Sequence, residues 1–349
     1  YINNQFSLVF SNEQKQDALA IQNAIKLFSN NLTTHTHSRF SLAQEATQSC
    51  KINVSFSMLE DAKNEYTNAV FTNSRAKQSY TLSLVQNNDL PCFFTINCNA
   101  AVGLHYALCT LTQIVALLPQ QDNASTTPIG NQLFTIKDEP SFASRGVMLD
   151  VSRDRVWTMQ TLCDLITKFS YWKFNELQLY IEHTFAYKGH EKVWCNSSPL
   201  TPEQVVKLVQ ICNEHFIYLV PNQNSFGHLH RFLKFEDYAV KLAELPQGYE
   251  HGFSMQLREP FSICPTIPES IEFLSDLYEQ LLPCFESNQK FQSPYFNVGL
   301  DETFDLGIEG GRSKQQCDQI GTKMVYLNFL KKVHQLVYEK HGKVMQFWG

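Results

Sequence analysis

The sequence is poor in the features that mark several large classes of protein. No apolar run reaches the roughly 18 residues that a membrane-spanning helix needs. Lys and Arg number 28 against 34 for Asp and Glu, so the net charge is -6 and no basic field attracts nucleic acid or an anionic membrane. The 10 cysteines form no C-x-x-C pair, which argues against a disulfide-rich module. We therefore expect reduced, buried cysteines and neither a nucleic acid nor a membrane as partner.

What is present indicates a folded protein with a substantial core. Hydrophobic residues make up 43% of the 349 residues, aromatic residues 13% and charged residues only 18%, as in core-forming globular proteins. A typical domain of roughly 150 residues predicts about two domains in this length. We expect a small α+β domain over residues 1–140 and a larger domain over residues 141–349.

The first part of the chain combines helical and strand patterns without regular alternation. Apolar residues recur at helical spacing from Glu13 to Phe28, and a second helix is predicted from about Ala101 to Leu118. Between turn residues, short β-rich runs predict strands at 52–56, 69–71, 80–85 and 93–96. This pattern predicts a sheet with helices on one face.

From Ser144 onward, strand and helix patterns alternate. Five strands are predicted at 146–151, 176–181, 216–220, 295–300 and 344–347, with helices at 159–169, 202–214, 267–282 and 314–340. Strands that are connected by helices in this way form a parallel sheet. Such a sheet fits a (β/α)8 barrel or an open doubly wound sheet. No glycine-rich phosphate-binding turn follows the first strand, and polar residues follow several strands. Both observations favour a barrel with catalytic groups at its strand ends.

Two adjacent carboxylates, Asp301 and Glu302, follow one of these apolar strands. Like charges so close push their pKa values apart, which suits one group to act as an acid while the other stays ionised. A solvated acidic pair at the start of a loop is the alternative interpretation. The chemistry of the pair alone leaves both open.

Several segments resemble one enzyme family in the same order along the chain. Residues 296–302 resemble the H-x-G-x-D-E strand of family 20 glycoside hydrolases, the β-N-acetylhexosaminidases, and residues 136–153 are similar to the family's I-x-D-x-P-x-F-x-x-R-G-x-x-L-D-x-S-R segment. Further resemblances cover residues 103–111, 173–177 and 221–228. The resemblance therefore covers nearly the whole chain. It implies a (β/α)8 barrel preceded by a small α+β domain.

The resemblance also implies roles for individual residues. Glu302 is implied as the general acid/base, and Asp301 as the residue that orients the 2-acetamido group of the substrate, which itself supplies the nucleophile. Arg145 is implied as a ligand of sugar hydroxyls, with a structural salt bridge as its alternative, because it precedes the first strand. Trp348 is implied as a pocket tryptophan that stacks on sugar, with barrel packing as its alternative. The implied substrate is a terminal N-acetylhexosamine, either GlcNAc or GalNAc, and no cofactor or metal is expected.

Departures from the family pattern indicate a divergent branch. Where the family has Thr-Asp-Asp, this chain has residues 182–184, and His183 is the residue we expect to bind substrate from that place. Asn224 and His228 are expected to bind substrate from the loop after the third strand, where Asn224 replaces an acidic residue. Asn297 replaces the family histidine. Both Asp301 and Glu302 are present, which favours an active enzyme.

Two alternatives to this enzyme remain open from the sequence. One is a non-catalytic relative that binds amino sugars. The other is a metal-dependent hydrolase that uses His228, His230 and Asp301, because an H-x-H pair lies at a strand end.

The ends of the chain give two further expectations. Only five of the eight strands of a closed barrel are found, so we expect this chain to be part of a longer product that ends after the fifth strand. The first residues lack the charged and apolar regions of a secretory signal peptide. Together with the unpatterned cysteines, this favours a cytoplasmic location.

Overall fold

The computed structural model describes residues 5–11, 18–36, 39–40, 50–56, 75–85, 93–117, 133–250, 256–286 and 292–349. The chain divides into two compact units. The first comprises Tyr1–Arg145, Ile166–Asn175 and Glu214–Phe216, and the second comprises Gly146–Leu165, Glu176–Asn213 and Ile217–Gly349. The domain boundary after residue 140 stays a prediction.

The first unit contains a mixed six-stranded sheet and two long helices. Its strands are β1 (Gln5–Ser11), β2 (Arg39–Phe40), β3 (Cys50–Phe56), β4 (Tyr80–Val85), β5 (Phe93–Cys98) and β6 (Phe134–Asp138), in the spatial order β2-β1-β3-β5-β4-β6. Its helices are α1 (Ala18–Thr36), α2 (Arg75–Gln78) and α3 (Ala101–Leu117). Strand β4 runs antiparallel to both of its neighbours, and the other pairs are parallel.

Alternation along the strands creates the core of this unit. Ile52 and Val54 of β3 are fully buried, whereas Asn53 between them is half-buried, as expected for a sheet with one covered face. Phe28 of α1 and Leu104 of α3 belong to the same buried cluster. Helices α1 and α3 therefore share one core with the sheet, and the sheet contains three strands that the sequence pattern does not predict, β1, β2 and β6. The strand predicted at residues 69–71 and the helical start at residues 13–17 lie outside the described residues.

Helix α1 continues eight residues beyond its predicted end at Phe28. The following segment is rich in Asn and Thr, which usually favour turns. The hydroxyls of Thr33 and Thr34 donate to the carbonyls of Ser29 and Asn30, four residues earlier. These bonds satisfy the hydroxyl groups of the side chains, so the helix continues through a segment whose composition favours a turn.

The second unit contains the five parallel strands predicted from the sequence. They are β7 (Gly146–Asp150), β8 (Glu176–Tyr180), β9 (Tyr218–Val220), β12 (Tyr295–Asn297) and β13 (Val344–Gln346). A short antiparallel pair, β10 (Tyr249–Glu250) and β11 (Leu257–Arg258), lies in the loop-rich part between β9 and β12. Strand β8 pairs with β7 and β9, β12 pairs with β13, and a parallel bridge from Asn222 to Asn297 connects the two groups.

The helices of this part of the chain include the four that the sequence predicts, with the last of them divided, and three shorter ones that it does not predict. They are α4 (Met159–Tyr171), α5 (Glu191–Trp194), α6 (Pro202–Glu214), α7 (His230–Leu233), α8 (Glu236–Leu242), α9 (Pro268–Leu281), α10 (Lys314–Ile320) and α11 (Thr322–Gln335), with a 3-10 turn at Leu282–Phe285 and a π turn at Leu336–Lys340. The three that the sequence does not predict are α5, α7 and α8. The sequence predicts one helix over residues 314–340. Gly321 divides it, because its φ of 87° lies outside the helical region.

A layer of side-chain amides connects the strands of the second unit. Gln178 of β8 donates to Gln346 of β13 at 2.9 Å and accepts from Asn297 of β12 at 3.1 Å. Asn222, which follows β9, lies 3.5 Å from the same acceptor of Gln178. Because these amides satisfy one another, polar groups are tolerated where the strands are buried.

Two further properties of the described residues concern the length and hydrophobicity of the helices and the state of the cysteines. No helix among them is both long enough and apolar enough to cross a membrane. The eight cysteines for which the structure describes a state are free thiols.

Candidate active site

The two adjacent carboxylates lie in a tight loop after β12. Val298 donates to the carbonyl of Gln346, and Trp348 donates to the carbonyl of Gly299, so the loop is tied to the end of β13. Leu300 and Glu302 both have positive φ, at 71° and 53°. Non-glycine residues in this conformation cost of order 1–3 kcal/mol each and cluster at functional sites.

Gly299 shows how closely this loop packs against the loop after β9. A Cβ at this glycine would lie 2.0 Å from the side-chain oxygen of Asn224, and its φ is 69°. Gly227 is equally constrained, since a Cβ there would lie 2.5 Å from the carbonyl oxygen of Asp301. Glycine at both positions therefore allows the two loops to approach more closely than any side chain would permit.

His228 follows Gly227 and is the centre of the site. Its side chain is buried, and its Nε2 lies 3.1 Å from Glu302 Oε2 and 3.4 Å from Asp301 Oδ2. On the other side of the ring, Nδ1 lies 3.5 Å from Glu182 Oε1. No aligned hydrogen bond of Nε2 exists within the described residues, so these contacts are close electrostatic approaches. One imidazole thus links three carboxylates.

Glu182 is the buried anchor of this arrangement. The hydroxyl of Tyr180 donates to Glu182 Oε1 at 2.9 Å, and the guanidinium of Arg153 donates to the hydroxyl of Tyr180 at 2.8 Å. Arg153 also lies over the Tyr180 ring at 4.7 Å and reaches Glu182 Oε1 at 3.5 Å. Burial raises the pKa of Glu182 above its usual value, although Tyr180, His228 and Arg153 all act in the opposite direction.

The two carboxylates after β12 have different surroundings. Burial alone would raise the pKa of Asp301, but the contact with His228, its own backbone N–H and the charge of Arg153 together lower that pKa below the usual value. Asp301 is therefore ionised at neutral pH. The side chain of Glu302 is 54% exposed, against 25% for Asp301, so Glu302 is the carboxylate open to an incoming molecule.

The structure brings several of the predicted site residues together. Asn224 is fully buried against Gly299, and its side-chain amide has no hydrogen-bond partner among the described residues. Trp348 is tied by its backbone to the same loop, and its residue surface is 48% exposed. With His228, Asp301 and Glu302, these residues belong to the loops after β9 and β12 or are hydrogen-bonded to them. Their roles toward a substrate stay predictions.

Arg145 and His183 have other contacts. The guanidinium of Arg145 donates to the carbonyls of Lys173 and Phe142 and to the hydroxyl of Tyr106, all within the first unit. Sugar binding by Arg145 stays a prediction that no contact supports. Among the described residues, Arg145 also forms no salt bridge, and the partners of its guanidinium are uncharged oxygens. His183 contacts Ser197 at 3.0 Å and not the carboxylates.

Sequence reasoning missed Arg153, Tyr180 and Glu182 as members of the site. Two signals were available. Arg153 ends the same motif that contains Arg145, and it follows β7 at the end of the strand where barrels keep their functional groups. Tyr180 and Glu182 alternate at the end of β8, so they share a face, whereas His183 does not.

The predicted metal-binding trio is not formed. Within the described residues, the group whose ligand atoms come within 4.8 Å of one another is His228, Asp301 and Glu302. His230 does not belong to this group, and its ring stacks on Phe261 at 6.0 Å. The alternative of a metal site made of His228, His230 and Asp301 is therefore not favoured, because His230 lies outside this group.

Comparison with known proteins identifies the family of this chain. The sequence pattern of glycosyl hydrolase family 20, catalytic domain, matches residues 142–349. The chain belongs to this family. The resemblance inferred from its motifs is thereby confirmed.

Individual relatives are distant and longer than this chain. A beta-hexosaminidase of Porphyromonas gingivalis is 25% identical over 274 residues, which cover 71% of this chain and 33% of the relative. Hexosaminidase D of Bos taurus is 24% identical over 145 residues, which cover 42% of this chain and 37% of the relative. The chain thus spans about a third of the length of these curated relatives.

Solved structures of family 20 members share the fold. A chitobiase of Flavobacterium johnsoniae matches with a TM-score of 0.69 at 20% identity, over 98% of this chain and 48% of that chain. An exo-β-N-acetylglucosaminidase of Vibrio harveyi, solved in complex with N-acetylglucosamine, matches with a TM-score of 0.67 at 18% identity, over 99% of this chain and 51% of that chain. The fold is of the TIM-barrel glycosidase type, and the closure of the barrel with eight strands stays a prediction.

Proposed function

We propose that this member of family 20 is a retaining exo-β-N-acetylhexosaminidase that removes terminal GlcNAc or GalNAc from oligosaccharides or glycoconjugates. The observation that carries the proposal is the cluster in which His228 approaches Asp301, Glu302 and Glu182. A relative named beta-hexosaminidase and a neighbour that binds N-acetylglucosamine support the choice of substrate.

In the first step, Glu302 acts as the general acid. It gives its proton to the glycosidic oxygen while the acetamido oxygen of the substrate attacks the anomeric carbon. The bond from that carbon to the leaving oxygen breaks, and its electron pair stays with the protonated leaving group. The ring that forms is an oxazolinium ion with a positive charge. Asp301, held ionised by its surroundings, stabilises this charge and accepts a hydrogen bond from the acetamido N–H.

In the second step, water replaces the leaving group. Glu302, now a carboxylate, accepts a proton from the water as its oxygen attacks the anomeric carbon. The bond to the acetamido oxygen breaks, and the acetamide is restored. Two inversions at one carbon leave the β configuration unchanged, as in the substrate-assisted exception among retaining glycosidases.

His228 and Glu182 act as positioning residues. Glu182 faces Nδ1 of His228 and so fixes the orientation of the ring. Nε2 then faces Glu302, whose charge changes in each step. A polarisable imidazole 3.1 Å from Glu302 Oε2 lowers the free-energy cost of this change in the charge of Glu302. Arg153 and Tyr180 keep Glu182 in place.

The test is hydrolysis of aryl N-acetyl-β-glucosaminide and N-acetyl-β-galactosaminide by the protein, with proton NMR of the first sugar released. We expect turnover and initial release of the β-anomer. Release of the α-anomer would contradict the retaining mechanism. Sugar binding without turnover would instead indicate a non-catalytic relative.

A further inference from the structure

A cationic cavity in the second unit shares Arg153 with the site. Its volume is about 380 Å³, which falls within the range of small-molecule pockets. Its lining includes Arg153, Arg155, His183, Ser197, Arg231 and Lys234. The mechanism proposed above uses only the first of these.

The lining of this cavity carries three cations besides Arg153. Arg155, Arg231 and Lys234 form no ion pair within the described part of the chain, and Asp154 is the single acidic residue of the described lining. The guanidinium of Arg155 lies 5.1 Å from the ring centre of Trp157, so an aromatic surface holds it in place. Unpaired cations gathered in a concave surface focus the field and raise the local concentration of anions.

His183 adds a buried donor to this lining. Its residue surface is 4% exposed, its Nε2 contacts the Ser197 hydroxyl at 3.0 Å, and its Nδ1 has no partner among the described residues. Burial first, then the charges of Arg231, His230 and Lys234, lower the pKa of His183 to about 4, so the ring is neutral near pH 7. When Ser197 donates to Nε2, the proton of His183 lies on Nδ1. A buried N–H without an acceptor is costly, and a ligand oxygen would satisfy it.

We propose that this cavity is a subsite for an anionic group, a sulfate ester or a carboxylate, on the amino-sugar substrate. The proposal rests on the proposed function, because Arg153 connects the cavity to the carboxylate cluster through Tyr180 and Glu182. The cavity is larger than an isolated sulfate needs, so it accommodates an anionic group together with part of the sugar that carries it. The enzyme then acts preferentially on acidic glycans.

The test is calorimetric titration of the protein with N-acetylglucosamine and with its 3-, 4- and 6-sulfates. At low ionic strength we expect at least one sulfate ester to bind about tenfold more tightly than the neutral sugar, with the advantage reduced by added salt. The double variant Arg231→Gln/Lys234→Gln should lose this advantage and keep its affinity for the neutral sugar. The matched control Lys207→Gln/Lys331→Gln removes the same charge from exposed helical positions and should behave like the unmodified protein.

Three results separate the possible failures. Equal affinity for the neutral sugar and all three esters, or an advantage that survives in the Arg231/Lys234 variant, would overturn the subsite. Inorganic sulfate that binds as tightly as the best ester would show a site for a free anion and overturn the assignment to substrate. A tenfold advantage in binding, combined with no hydrolysis of the neutral aryl glycoside, would overturn the proposed activity and leave the subsite supported.

Discussion

The separate duties of Asp301 and Glu302 give the sharpest prediction. Replacing Glu302 by Gln removes the proton donor, and replacing Asp301 by Asn removes the negative charge beside the oxazolinium ion. Both changes preserve size, so each variant loses chemistry and little packing. We expect the two variants to differ in how their losses depend on the leaving group, because in the proposed mechanism only Glu302 protonates that group.

The magnitude follows from the roles that the geometry supports. General acid catalysis contributes about 10²- to 10⁴-fold, and nearly all of it is needed when the leaving group is a sugar alcohol. A dinitrophenolate leaves without protonation, so Glu302→Gln should lose that factor on a disaccharide and little of it in the first step with the dinitrophenyl glycoside. Asp301→Asn should lose about 10²- to 10³-fold on both substrates, the usual cost of removing one group that stabilises transition-state charge.

The assay is kcat/KM for N,N'-diacetylchitobiose and for dinitrophenyl N-acetyl-β-glucosaminide, with each variant and the unmodified protein. The thermal unfolding midpoint of each variant serves as a control for folding. If the two variants lose activity by the same factor on both substrates, the roles assigned to Asp301 and Glu302 are wrong.

Four further predictions concern the same site. Gly299→Ala should lower the free energy of unfolding by about 1–3 kcal/mol in denaturant titrations and abolish turnover, because its Cβ would overlap the side chain of Asn224 and its φ is positive. Glu182→Gln should reduce kcat about tenfold or more with little change in KM, since it leaves His228 unanchored. The lowered pKa of Asp301 means that its ionised form stabilises the fold above the ordinary aspartate pKa of about 4, and that this contribution is lost as pH falls through the folded value. The unfolding temperature of Asp301→Asn should therefore fall less than that of the unmodified protein between pH 5 and pH 2. EDTA should change turnover by less than about twofold, whereas a larger loss would show that the group of His228, Asp301 and Glu302 works with a metal.

The sequence was most informative where a pattern repeats over many residues. The five parallel strands and the carboxylates at the end of β12 follow from alternation and from position, and the structure agrees with them. The division of the last long helix needed knowledge of the conformation of a single glycine, Gly321. Composition predicts that a glycine weakens a helix but does not predict its φ.

Individual side chains were harder to predict than elements. Arg145 and Arg153 flank the same strand, and only the three-dimensional structure shows that one is occupied by backbone carbonyls while the other faces Glu182. In the same way, Glu182 approaches His228, whereas its neighbour His183 contacts Ser197. Which of two neighbouring side chains faces the site depends on the local register of the chain. A single sequence does not determine that register at the end of a strand.

The amide layer beneath the site has a consequence for its response to acidity. Gln178, Asn222, Asn297 and Gln346 donate and accept hydrogen bonds, yet none of them gains or loses a proton over the pH range in which proteins remain folded. Changes of charge in the site therefore belong to the loops above this layer and not to the strands that carry it. A histidine at position 297 would add an ionisable group below the carboxylates, and its charge would alter theirs. With Asn297 in that place, the amide layer keeps the same charge while the carboxylates of the loops gain and lose protons.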